Sequence, residues 1–491
     1  MNRLRLWSAL AGLLLLGGLL SALHGQAPPA EKKGGEKLAE KWLFDRALAV
    51  SPAAAPVPAL KYRFYPTFPE RKDGNAVPIY ERFAHERSDA RKKEQLEKPD
   101  AWNKLPLEKL PLAEVKQFLD GYKYNLRQLE LGARRTTADW NYTLDAGDPI
   151  GLLLPDIQEM RIQAPILRLK ARVEVAEGRY ADAVRTLETG FSFSEQVGHG
   201  DFLIQSLVGI ACASQFADEV LELAERPGAP NLYWALTVLP RPLVGLRRAD
   251  EYEQHMLEMQ FPDLADLDRP RPAEEWDAAL VRVRKEAERI LKIDLESGTP
   301  PKPLKPGTTS ADPAAKSPDL AAARKYLTEV AGLTAANVEA MPPAQALLLY
   351  ISHYYHEARD DMFKGSYLPF PQGLGVDRAA VERLKSLPDT EATRVARWFL
   401  PAIPKVQLAK VRLERKLAAL RVIEALRMHA AAKGQLPEKL DEVTVVPVPD
   451  DPGTGKPFEY RRDGATGVLT SRIAGEALEI TGLRYTITVR K

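Results

Sequence analysis

The sequence predicts a mainly α-helical protein, built from antiparallel helix pairs in a bundle or stack and closed by a small C-terminal antiparallel β-sheet. Three observations predict it. Apolar residues recur at three- and four-residue steps through most of the chain before Gly434. Two such stretches between Ile162 and Gln196 are joined at a single glycine, as a helical hairpin requires. After Gly434 the period drops to two: Phe458 and Tyr460, Val468 and Thr470, then Tyr485, Ile487 and Val489.

The bulk numbers bound the classes. The chain has 491 residues, enough for two or three domains, with 45% hydrophobic and 28% charged residues, the balance of a folded protein. The net charge of +2 supplies no field for nucleic acid or acidic membranes, so no nucleic-acid partner is expected. The single cysteine, Cys212, follows the apolar run Leu207-Val208-Gly209-Ile210-Ala211 and reads as a small buried hydrophobe.

In chain order, Arg3 and Arg5 precede an uncharged run from Leu6 to Leu23 and a Gly25-x-Ala27 site. Residues 1–27 therefore read as a secretory signal peptide or, if uncleaved, a membrane anchor. Both forms place the remainder outside the cytoplasm, in a periplasmic or cell-envelope location, with any membrane contact through residues 6–23. Residues 28–58, rich in Ala, Pro, Lys and Glu, read as a flexible tether containing one short helix, Lys37 to Val50. A helical domain is expected over 59–297. In it the aromatic, proline-rich stretch Leu60 to Ile79 lies extended against the core, and Arg87 to Lys98 is a solvated helix. Leu112 to Thr137 then forms one helix with Val115, Leu119, Tyr122, Leu126 and Leu129 on one face. The hairpin, a helix from Phe202 to about Arg226, and an amphipathic helix from Trp276 to Ile293 follow. Six prolines make 298–318 a linker or loop. Residues 319–434 are helical again. Helices start at Leu320 and Pro342, and the longest runs from Ile403 to Lys433 with the stripe Val406, Ala409, Leu413, Leu417, Leu420, Ile423, Leu426 and Ala430. Residues 435–491 form the β-rich end.

Two segments carry resemblances. Gly178, Tyr180, Ala183 and Leu187, with Ala171 in the preceding helix, give the hairpin a pattern that resembles the tetratricopeptide repeat. It covers one repeat of roughly 34 residues. Glu174 departs from the pattern where an aromatic is usual, and Gly190 where alanine is usual. The resemblance implies a stack of helix pairs that offers a concave surface to a protein or peptide. The second segment is Asp450-Asp451-Pro452-Gly453-Thr454-Gly455-Lys456-Pro457-Phe458-Glu459-Tyr460, behind the long helix. It resembles the end of the major pseudopilin of type II secretion. In that family the long helix begins at the membrane-embedded N-terminus; here it is internal, so the resemblance implies local shape and not fibre assembly. Taken whole, the chain is similar to exported helix-rich bacterial proteins of unassigned function that end in such a segment.

Chemistry-bearing residues concentrate in His353-Tyr354-Tyr355-His356-Glu357-Ala358-Arg359-Asp360-Asp361. On a helix His353, His356, Glu357 and Asp360 share one side, a spacing at which imidazoles and carboxylates can ligate a divalent metal. The order is not His-Glu-x-x-His, and the same residues also fit the polar flank of a buried helix. Asp450 and Asp451 can serve a calcium ion or a rigid turn. Gly453 to Lys456 lacks the upstream glycine and the Ser or Thr of a phosphate loop. His199, between Gly198 and Gly200, reads as a helix-end residue. No Gly-x-Ser-x-Gly occurs. The leading expectation is an exported helical scaffold, without a catalytic set or cofactor, that binds a protein or peptide partner. The alternatives are a metal-dependent hydrolase centred on His353, His356 and Glu357, and a structural cell-envelope protein.

Overall fold

Helices dominate wherever the three- and four-residue period was visible, and the computed structural model describes residues 41–82, 97–142, 154–292, 295, 314–400 and 403–490. The signal or anchor segment, the start of the tether and most of the stretches 87–98 and 298–318 lie outside the described residues. The chain divides into two compact units, one within 250–407 and the other from 41–141, 154–249 and 408–490. No helix among the described residues is long and apolar enough to cross a membrane.

The larger unit begins with a strand, β1 (Phe44–Val50), where the sequence reads as a helix inside a tether. Leu48 and Val50 are buried, and the strand takes its backbone partners from the far end of the chain. Long-range pairing thus overrides the helical preference of Ala and Leu. The stretch Leu60 to Ile79, expected to be extended, is irregular up to β2 (Lys72–Asn75) and then enters a short helix, Val77–Glu81, while Phe64 packs on Phe191 at 5.1 Å between ring centroids. The helix expected from Leu112 to Thr137 is broken into α1 (Leu112–Asp120) and α2 (Lys123–Ala133), followed by β3 (Arg135–Thr137), which pairs parallel with β2. The break falls at Gly121, whose N–H closes a tight turn on the Phe118 carbonyl at 3.0 Å. The five predicted face residues are all buried despite it.

The hairpin is present as α3 (Pro155–Ala176) and α4 (Tyr180–Gly198), and Gly178 turns the chain at φ +74°. A third helix, α5 (Leu203–Ala224), packs on both. The two departures from the repeat pattern have physical causes. A Cβ at Gly190 would lie 2.6 Å from the Phe216 ring, so α4 and α5 meet at that position. Glu174 accepts from Thr186 Oγ1 at 2.7 Å and pairs with Lys170 at 2.9 Å, a polar bridge where an aromatic would pack. Arg172 binds Glu222 through Nε at 3.0 Å and the carbonyls of Trp102 and Leu105 through its two Nη atoms.

The smaller unit is organised on α8. Its longer helices are α6 (Ala273–Leu291), α7 (Leu320–Glu329), α8 (Pro343–Phe363), α9 (Phe370–Ser386) and α10 (Glu391–Phe399). Helix α8 touches the other four, and Leu347, Leu348 and Ile351 are fully buried in their common core. The turn before α10 is closed by a capping box, in which Thr390 and Thr393 satisfy each other's backbone N–H groups at 2.8 and 3.3 Å.

The chain closes with α11 (Ile403–Lys433), which ends at Gly434 with φ +77°. All eight residues of its expected stripe are buried, and so are Arg412, Arg415, Lys416, Glu424 and Arg427 of the same helix. Most of these ions have a local answer: Lys416 donates to the carbonyl and hydroxyl of Ser214 and pairs with Asp218 at 2.6 Å, and Arg427 takes Glu424 at 2.9 Å, whereas Arg412 Nε has no hydrogen-bond partner among the described residues. Two short strands, β4 (Asp450–Asp451) and β5 (Lys456–Pro457), form the proline-rich loop. The expected antiparallel sheet is β6 (Glu459–Asp463), β7 (Thr466–Ser471) and β8 (Leu483–Val489), paired in that order. β1 adds a fourth strand, parallel to β8 with Phe44 opposite Leu483 and Val50 opposite Val489.

Candidate functional site

The Tyr350, Tyr354, Glu357 and Asp361 positions of α8 recur at three- and four-residue steps, so one face of the helix carries two aromatics followed by two carboxylates. That face lines a cavity of about 270 Å³. Tyr326 and Val330 from the end of α7, Ala380, Arg383 and Leu384 from α9, and Leu387, Pro388 and Thr393 before and in α10 complete it. Three tyrosine rings cluster there: Tyr326 lies 5.2 Å from Tyr350 and 5.9 Å from Tyr354, and the last two are 6.1 Å apart, all steeply inclined. Tilted rings at these separations expose both edges and faces.

The three hydroxyls differ. Tyr326 donates to Glu357 Oε2 at 2.6 Å, and Tyr350 shares a 3.1 Å hydrogen bond with Thr390. Tyr354 is only 7% exposed, and its buried hydroxyl has no hydrogen-bond partner among the described residues. Burial pushes this phenol up to about 12, with the nearby Tyr350 adding to the rise. Tyr326 is also raised, by burial and then by its bond to Glu357. At the other end of the α8 face, Asp361 is paired with Lys364 at 2.6 Å and with Arg383. The exposed Glu357 has no cationic partner among the described residues.

Of the four residues with metal-ligand spacing, Glu357 alone lines the cavity. His356 pairs through Nε2 with Glu258, and Asp360 with the neighbouring Arg359 at 2.8 Å. His353 is exposed, and partial burial followed by the charge of His356 holds its imidazole below the usual value. Among the described residues no group of three or more His, Cys, Asp or Glu side chains is placed to hold a metal ion. Asp451, weighed as a calcium ligand, is fully buried and bound to Arg415 Nε at 3.0 Å and the Gly453 N–H at 2.8 Å. Its carboxylate therefore secures the loop to α11, while Asp450 stays exposed. Cys212 is 1% exposed and burial pushes its thiol up to about 12, which removes the thiolate needed for reaction. His199 is the residue that follows α4, as expected.

The cavity residues come from four helices and the turn before α10, in three separate stretches of the chain. Tyr350 and Tyr354 are buried on α8, and no local signal joins Tyr326 or Arg383 to them. A second, more open cavity in the larger unit, beside the hairpin turn, is lined by Leu107, Leu110, Leu112, Gly178 and Tyr180 with Glu108, Glu177 and Arg226. There Tyr180 donates to the Pro227 carbonyl at 3.0 Å and Glu108 pairs with Arg226 at 2.6 Å, so its polar groups are internally matched. No family model, curated protein or solved structure matches this chain.

Proposed function

We propose that the protein is an exported helical scaffold that binds a partner protein or peptide, and that the tyrosine-lined cavity of the smaller unit receives one side chain of that partner. The observation that carries this reading is the buried, unpartnered hydroxyl of Tyr354 among the residues that wall the recess. Native proteins seldom leave such a group unsatisfied, and an incoming ligand atom would satisfy it. Size supports a side chain over a cofactor: about 270 Å³ lies just below the roughly 300–1,000 Å³ of pockets that enclose drug-sized molecules. Export rests on the basic residues, apolar run and small-residue site at the N-terminus.

The test is photo-crosslinking from position 330, at the cavity rim and 57% exposed, in cells of the source organism. The expected product is one partner whose attached peptide is lost when Tyr326→Trp narrows the cavity at unchanged melting temperature. Crosslinks that persist in that variant would place the partner elsewhere and overturn the assignment of the site.

A further inference from the structure

Resting on that reading, we infer that the side chain received by the cavity is basic, a lysine or arginine of the partner peptide, with its charged head held between the tyrosine rings and Glu357. Four features of the lining converge on this occupant. The rings of Tyr326, Tyr350 and Tyr354 supply negative π-faces, which attract a cation that lies over them. The lining carries two acids, Glu357 and Asp361, against one base, Arg383, a balance of −1. Within the lining Arg383 answers Asp361, so the surplus charge sits on Glu357, which among the described residues accepts only from the neutral Tyr326 hydroxyl.

The Tyr354 oxygen is a buried acceptor with nothing to accept from, and an ammonium or guanidinium N–H supplies the missing donor. Most of the remaining lining, including Val330, Ala358, Met362, Ala380 and Leu384, is apolar and matches the methylene stem that basic side chains bury while keeping the head polar. An acidic guest would meet Glu357 with like charge. A purely apolar one would leave both Glu357 and the Tyr354 hydroxyl unanswered, the second at a cost of about 1–3 kcal/mol.

The experiment uses the full chain labelled with ¹³C at the methionine methyls. The Met362 signal, on the cavity wall, is assigned through Met362→Leu. The probes are Nα-acetyl-lysine methylamide, its arginine counterpart and the neutral norleucine isostere, each titrated into wild type, Glu357→Gln and Tyr354→Phe. The expected result is a saturable shift of Met362 by the lysine and arginine probes, with norleucine about tenfold weaker, the size of one exposed cation–π and charge contact. Glu357→Gln should weaken the basic probes about tenfold and leave norleucine unchanged; Tyr354→Phe should weaken them less. Equal binding of norleucine and lysine would overturn the charge assignment while leaving the cavity as the side-chain site. A Met362 signal that no probe moves would overturn both readings.

Discussion

Arg415 and Asp451 join the helix and the loop through groups that water cannot reach. Arg415 is 1% exposed and Asp451 fully buried; beyond their ion pair, Arg415 Nη2 donates to Ser471 Oγ at 2.7 Å and Nη1 to the Thr481 carbonyl. Gly453 is required beside them, since a Cβ there would lie 2.5 Å from Arg415 Cδ. Removing one partner leaves a buried charge without an answer. Asp451→Leu or Arg415→Met should therefore each lower stability by about 3–5 kcal/mol, and the Arg415→Met, Asp451→Leu pair should cost much less than the sum. Urea unfolding of the four proteins measures this; additive losses would show that the two groups act independently. None of the pairing was legible in the sequence. The stripe on α11 reported the apolar face, but nothing in the periodicity distinguishes a solvated arginine from one that reaches a loop 36 residues on. Asp451 looked like a turn residue because its loop has turn chemistry, and only the folded chain shows where the carboxylate goes.

Among the elements, the hairpin and α11 were the most legible, because long amphipathic periods survive any choice of partner. The hairpin's turn at Gly178 and the buried faces around Ala183, Leu187 and Phe191 follow from spacing alone. What spacing leaves out is the neighbour. α4 presents Gly190 and Gly198 to α5, where Phe216 fills the first gap and Gly209 approaches the second so closely that a Cβ on Gly209 would sit 2.6 Å from the Gly198 Cα. Leu187 is fully buried on the same helix, so Leu187→Asp places an uncompensated charge in this packing and should cost several kcal/mol. A melting temperature equal to wild type would mean that the α3–α4 pair is not packed as described. The cavity is legible only in part for the same reason: α8 carries half of its chemistry in one run, while Tyr326 and Arg383 reach it from helices that precede and follow.

At the scale of the molecule, the larger unit is held by the two ends of its described chain. β1 and β8 pair in register over seven residues each, and Arg484 Nε donates to Asp45 at 2.8 Å across a sequence separation of 439. A parallel pair needs a crossover connection, and here nearly the whole protein serves as one. Composition hid this strand, since Arg46, Ala47, Leu48 and Ala49 suit a helix until a partner edge is present. The edge matters energetically: Leu48 and Val50 are almost fully buried, worth roughly 1.5–3 kcal/mol each, and without β1 the backbone of β8 becomes an open edge. A chain beginning at residue 52 should therefore unfold at lower urea than one beginning at residue 41, by several kcal/mol. Its β8 amides, from 483 to 489, should lose most of their hydrogen-exchange protection while those of α8 in the smaller unit keep theirs. A synthetic peptide of residues 41–52 added to the shorter chain should restore part of that protection, because the register and the buried Leu48 and Val50 specify where it docks. Identical unfolding midpoints and undiminished β8 protection in the shorter chain would show that the sheet closes without β1.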